Sequence, residues 1–211
     1  MRYRAWIESR RAEVERKSNG TIGYVYLPDF SAVGLSDLAR QFYGQMGKEA
    51  LIVDERWNSG GMTPDRFLEM MHRPLLSYWA VRYGADTPVP IYSHQGPKCL
   101  LINGPTGSSG ELFPWYFRQA GLGKLIGTRT WGGVVGCSNS PAFIDGGAVS
   151  IPHHGFSDLN GNKRIEGYGV EPDIKVIDDP ALSFKEGDPQ LKAAIEHLLQ
   201  AIKRNPKPIA R

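Results

Sequence analysis

Cysteine is scarce: the 211 residues hold two, Cys99 and Cys137. Two thiols are too few for a cysteine-built zinc site, and a core of this size needs no disulfide staple. A reducing, cytoplasmic setting is the simpler expectation. Long apolar runs are missing too. No stretch of 18 apolar residues occurs, so no transmembrane helix is expected. The opening MRYRAWIESRRAEVERK lacks the apolar region of a Sec signal. Charge of one sign is absent over most of the chain. The whole formal excess of +3 lies in residues 1–17, where Arg2, Arg4, Arg10, Arg11, Arg16 and Lys17 face Glu8, Glu13 and Glu15. With no body-wide basic surface, nucleic-acid binding is disfavoured, and the N-terminal run reads as a solvated helix face. No internal repeat or low-complexity block is present.

What remains is ordinary globular composition, 41% apolar and 22% charged, at a length of one domain or at most two. Tyr3, Trp6, Ile7 and Val14 fall on one helical stripe that Ser18-Asn19-Gly20 ends. This helix opens at residue 2 with no capping residue ahead of it, an expectation that the chain begins inside a larger protein. Strands are expected over Thr21–Leu27, Ala50–Glu55, Cys99–Asn103 and Lys124–Thr128, and helices over Leu35–Met46, Pro64–Met71 and onward from Leu112. Phe143–Asp145 and Ala148–Ile151 read as a hairpin across Gly146-Gly147. Residues 82–98 read as a surface excursion. The last helix has Asp188 as N-cap and Pro189 in its first turn, with a frayed end over Asn205–Arg211. Strands alternating with helices predict an α/β layered fold.

Two turns follow apolar strands, where open α/β sheets place their sites. One is Val53-Asp54-Glu55-Arg56-Trp57-Asn58-Ser59-Gly60-Gly61; the other is Asn103-Gly104-Pro105-Thr106-Gly107-Ser108-Ser109-Gly110-Glu111. In the second, a serine sits between a glycine turn and a helix start, where free N–H groups and the helix dipole favour negative charge. That is the logic of a nucleophile elbow, although the spacing is not GxSxG and no α/β-hydrolase is implied. The same residues also fit a plain helix cap, with Ser108 capping and Glu111 completing a capping box. Gly60-Gly61 lets a backbone N–H approach a ligand, or simply makes a tight turn. A serine needs a base, and none of His72, His94, His153, His154 and His197 has a context that marks it as one. His197 reads as a packing residue. Adjacent His153 and His154 rarely point at one ion, so no metal is expected.

VDERWNSGG, NGPTGSSGELF, GLGKLIGTRTWGGVVG and IEGYGVEPDI together resemble the C-terminal catalytic domain of the tricorn-type serine peptidases. These are relatives of the tail-specific, or C-terminal processing, proteases. The resemblance runs from the first helix through the last. It implies a crotonase/ClpP-like layered core with helices on a mostly parallel sheet, residues 1–18 being a linking helix and 19–211 the peptidase core. It further implies peptide substrates, no cofactor, a cytoplasmic setting and homo-oligomers. Ser108 matches the nucleophile, Ser109 and Gly61 match the two oxyanion N–H donors, and Glu166 matches the acid of the catalytic network.

The departures concern the base and the specificity. In the tricorn type the general-base histidine lies upstream, beyond a PDZ domain, so upstream segments of a longer protein are the expected source of the base. Tail-specific relatives use a lysine near the second glycine of TWGG, where Gly133 stands here. The acid that selects a basic P1 residue matches Trp79, which predicts an apolar P1 residue. Pro114, inside the helix after Ser108, predicts a kink or a late start. Two other readings stay open. One is a non-catalytic peptide-binding or assembly module, with Trp57 and Trp131 lining a groove. The other is a crotonase-type acyl-CoA enzyme, in which paired N–H groups hold an enolate.

Overall fold

A computed structural model describes residues 2–62 and 64–204; the expected fraying of Asn205–Arg211 concerns residues outside these. In chain order the elements are α1 (Arg2–Lys17), β1 (Ile22–Tyr26), α2 (Ala32–Tyr43), β2 (Ala50–Asp54), α3 (Pro64–Met71), β3 (Ser77–Trp79), β4 (Thr87–Val89) and β5 (Lys98–Ile102). Then come α4 (Ser109–Gln119), β6 (Gly123–Gly127), β7 (Gly136–Asn139), β8 (Ser150–His154), β9 (Ile174–Lys175), α5 (Pro180–Glu186) and α6 (Pro189–Arg204). One parallel sheet in the order β1-β2-β5-β6-β9 forms the middle layer.

β1, β2 and β5 are buried along their whole length, as their continuous apolar sequences require of strands covered on both faces. Alternate residues divide between two cores. Val25, Leu51, Val53, Leu100, Ile102 and Leu125 face one side, against Leu38 and Phe42 of α2, Phe67 of α3, and Phe113 and Phe117 of α4. Tyr24, Ile52, Cys99, Leu101 and Ile126 face the other, against Ile7 and Val14 of α1 and Leu191, Ile195 and Leu198 of α6. Each such side chain, fully buried, contributes about 1.5–3 kcal/mol. Both cysteines are free thiols, Cys99 buried and Cys137 exposed. Among the described residues no helix is long and apolar enough to cross a membrane.

The expected layered α/β architecture is present, and several local expectations are corrected. α2 begins at Ala32, three residues early, because the Ser31 hydroxyl accepts from the Val33 and Gly34 amides. The hairpin turns at Gly146 as expected, but its paired strands lie farther out, at Gly136–Asn139 and Ser150–His154. Residues 82–98 are not wholly irregular: β4 pairs antiparallel with β3. Pro114 lies inside an α4 that runs unbroken from Ser109, so the late start does not occur.

Candidate active site

β2 and β5 are parallel neighbours, so the turns that follow them emerge side by side. Hydrogen bonds stitch these turns together. The Trp57 amide donates to Asn103 Oδ1 at 2.8 Å. The Gly107 amide donates to the Asn58 carbonyl at 3.1 Å. Buried Asn58 locks its own turn: Nδ2 donates to the Leu27 carbonyl at 3.0 Å and Oδ1 accepts from the Gly60 amide at 2.8 Å. The readable signal for it is an asparagine two residues before a glycine, the sequence of an Asx turn.

Ser108 sits where the turns meet. Its backbone has φ 55° and ψ −132°. A non-glycine residue held there costs about 1–3 kcal/mol, and such strain clusters at functional sites. The Ser108 amide donates to the Gly133 carbonyl at 2.8 Å. Its side chain makes no capping hydrogen bond, so the helix-cap reading is set aside. The side chain lies instead against Gly60. A Cβ on Gly60 would stand 2.6 Å from Ser108 Cβ, 2.9 Å from its Oγ and 2.8 Å from the Ser109 nitrogen. Gly60 also has φ 90°, so space and backbone both demand glycine.

Gly61 and Ser109 flank this point. The Ser109 hydroxyl donates to the Gly61 carbonyl at 2.6 Å. Gly61 bridges Phe30 in parallel fashion: Phe30 N–H donates to the Gly60 carbonyl, and Met62 N–H donates to the Phe30 carbonyl. That pattern leaves the Gly61 amide outside the bridge. Among the described residues neither the Gly61 nor the Ser109 amide has an acceptor.

The third wall is the loop 130–135. The exposed Trp131 indole lies over both Gly107 and Gly133, with its ring 2.8 Å and 2.5 Å from where their Cβ atoms would be. A side chain at 133 would meet that ring, so it could be placed only with the indole displaced. Trp57 is tied up by other contacts. Its ring meets Trp6 edge-on at 5.6 Å and carries the Arg56 guanidinium at 5.3 Å. Glu166 is exposed, and its Oε2 accepts from the Val134 and Val135 amides at 2.8 and 2.9 Å. It therefore reaches the loop that Ser108 leans on.

Glu111 departs from the capping-box expectation. It is fully buried, and Oε1 accepts from Thr130 Oγ1 and from the Gly132 amide, both at 2.6 Å. Burial pushes its pKa up, against the pull of those donors. Nothing local in the sequence marks this role, since the partners lie about twenty residues ahead. Glu55, in the first turn, is also fully buried, with neither carboxyl oxygen hydrogen-bonded. Burial, and then the negative charges of Asp54 and Glu111, hold its pKa well above the usual carboxylate range.

Trp79 is not brought to Ser108. It lies 71% exposed on β3, and its hairpin neighbours Tyr78 and Pro88 line a cavity of about 490 Å³ with Lys48, His94 and Gly96. Those three residues precede β2 and β5, at the end of the sheet opposite the turns. Nor does a histidine stand out as a base. His94 meets the Lys48 carbonyl at 3.1 Å at that far end. His153 and His154 are exposed on β8 and contact each other. His197 is half-buried on α6, and burial lowers its pKa, in keeping with a packing residue. Among the described residues no three potential metal ligands converge.

Known proteins share this arrangement of elements. The profile of peptidase family S41 matches residues 21–176. The tricorn protease of Thermoplasma volcanium is 39% identical over 204 residues, 97% of this chain and 20% of its own. A tricorn protease homolog from Saccharolobus solfataricus is 37% identical over 202 residues, 95% of this chain and 19% of its own. The crystal structure of tricorn protease superposes with a TM-score of 0.90 at 37% identity, over 96% of this chain and 20% of that one. The photosystem II D1 C-terminal processing protease, at 22% identity and a TM-score of 0.59 over 84% of this chain and 46% of that one, shares the fold. The chain thus spans about a fifth of the length of the tricorn relatives. Since the matched stretch takes in both turns and the loop that walls them, the chain belongs to peptidase family S41.

Proposed function

We propose that this chain is the nucleophile-bearing core of a serine peptidase that cleaves peptides through an acyl-enzyme. Ser108 Oγ attacks the peptide carbonyl, and the amides of Gly61 and Ser109 stabilise the oxyanion. Removing one such donor typically costs on the order of 3 kcal/mol. The intermediate then collapses, breaking the C–N bond; the amine leaves with the proton that the base took from Ser108, and water hydrolyses the resulting ester. Glu166 completes the network through the loop at Val134 and Val135. The observation that carries this reading is the seat of Ser108: a strained serine at a helix start, pressed on a glycine of the neighbouring turn, with two unengaged amides beside it. On the likeness to the tricorn type, of whose length the chain spans about a fifth, the base comes from a histidine on an upstream segment of a longer protein. On the same footing, residues 1–18 link that segment to the core at 19–211, and the protein assembles as a homo-oligomer and works in the cytoplasm.

The glycine at 133 also favours a second reading, a peptide-binding module without catalysis. A fluorophosphonate probe separates the two in the full-length protein. Covalent labelling of Ser108, abolished by Ser108→Ala, is the expected result. Reversible peptide binding with no labelling selects the module, and retention on coenzyme A resin without labelling selects acyl-CoA chemistry.

A further inference from the structure

The geometry points to Glu111 as the positioning residue that holds the 130–135 loop in the shape that seats Ser108. This rests on the peptidase reading and deepens it, because it names what pre-organises the nucleophile.

Glu111 stands in the first turn of α4, three residues after Ser108, and is inaccessible to solvent. Its Oε1 takes two short hydrogen bonds from the loop, from Thr130 Oγ1 and from the Gly132 amide. The Thr130 hydroxyl oxygen in turn accepts from the Val170 amide at 2.7 Å. The Gly132 carbonyl accepts from Gly167 N–H at 2.7 Å. The turn at 165–170 is thereby tied to the loop from behind. The next carbonyl along, that of Gly133, accepts the Ser108 amide. A continuous path therefore runs from the Glu111 carboxylate through two loop residues to the backbone of Ser108.

The path matters because Ser108 has an unfavourable backbone geometry, φ 55°. Such a conformation persists only where the surroundings over-determine it. The loop carries two consecutive glycines, and its one core contact is Val134, while Trp131 stays exposed. Two carboxylates fix it: Glu166 at Val134 and Val135 from the exposed side, and Glu111 at Thr130 and Gly132 from the buried side. Glu111 is the inner anchor, in the first turn of the helix that Ser108 precedes.

The test compares Glu111→Leu, Glu111→Gln and Thr130→Val with the unaltered full-length protein. Two readouts are taken: the rate of Ser108 labelling at saturating fluorophosphonate, and amide hydrogen exchange at Ser108, Gly132 and Val134. Glu111→Leu is expected to slow saturated labelling by about tenfold or more without weakening peptide binding, and to speed exchange at the three amides while β2 and β5 stay protected. Glu111→Gln keeps an acceptor oxygen and recovers most of both signals. Thr130→Val removes the donor to Glu111 and the acceptor for the Val170 amide but no charge, so it changes both signals in the same direction and serves if the leucine variant does not fold. Unchanged exchange at Gly132 and Ser108 in Glu111→Leu or Thr130→Val overturns the assignment. So does a loss of labelling that glutamine fails to recover. If the unaltered protein takes no probe, the peptidase reading fails by itself, and exchange still decides the role of Glu111.

Discussion

Glu55 is a carboxyl group with no hydrogen-bond partner, buried behind the two turns. An ion there would lack both water and a counter-charge, and its neighbours Asp54 and Glu111 carry the same sign. The folded chain therefore keeps Glu55 protonated at a pH where the unfolded chain releases the proton, above its ordinary value of 4.5. Where the native state holds the extra proton, stability falls as pH rises, by about 1.4 kcal/mol per unit for one group. Glu55→Gln removes that slope. Urea titrations across mildly acidic to mildly alkaline pH are expected to show a gain in stability for the variant that grows with pH. A constant difference would mean that Glu55 is ionised in the fold. Sequence inspection identifies Ser108, Gly61 and Ser109 as candidates because each sits in a motif. Glu55 and Glu111 escape it: one lies in the same motif without an assigned role, and the other satisfies a cap pattern that the fold does not use.

At the scale of elements, one buried arginine joins the first turn to the last helix. Arg56 donates to Asp54 at 3.0 and 2.7 Å and to Asp188 at 3.0 and 2.8 Å. Tyr24 completes the set by donating to Asp54 Oδ2 at 2.8 Å. Asp188 also caps α6, accepting from the Leu191 amide at 2.9 Å. Burial alone would raise the Asp188 pKa; the Arg56 charge and hydrogen bonds overcome this and hold it below the ordinary range. Its contribution is therefore present above the unfolded value of 3.8 and is lost as pH falls through the lower folded one. Asp188→Asn keeps a cap but leaves Arg56 short of a counter-charge, and is expected to cost about 3–5 kcal/mol by denaturant titration near neutral pH. A cost below about 1 kcal/mol would mean Asp54 alone neutralises Arg56. The cap was legible from Asp188-Pro189. The ion pair was not, because its partners stand 132 positions apart. The same divide separates the elements themselves. β1, β2 and β5 declared themselves as continuous apolar runs, whereas β3, β4 and β9 are two or three residues long and carry no period to read.

For the molecule as a whole, the sheet and its two helical layers hold the cores, and the two hairpins stand outside them. β3 and all of β8 are exposed, and Trp79 belongs to neither core. Trp79→Ala is accordingly expected to move the unfolding free energy of the chain by no more than about 0.5 kcal/mol, read as the urea midpoint. A larger loss would show that the β3–β4 hairpin is braced by the body. The layered architecture was foreseeable from the alternation of strand and helix. The placing of Trp79 at the far end of the sheet from Ser108 was not, because a residue's distance from a motif along the chain does not report which end of a strand it meets.

The indole of Trp131 over Gly133 has a mutational corollary. Substituting the glycine alone drives a Cβ into the ring as it lies, so any side chain at 133 has first to displace an indole that is itself largely exposed. The two positions are therefore coupled: what residue 133 can become depends on where the ring of residue 131 lies.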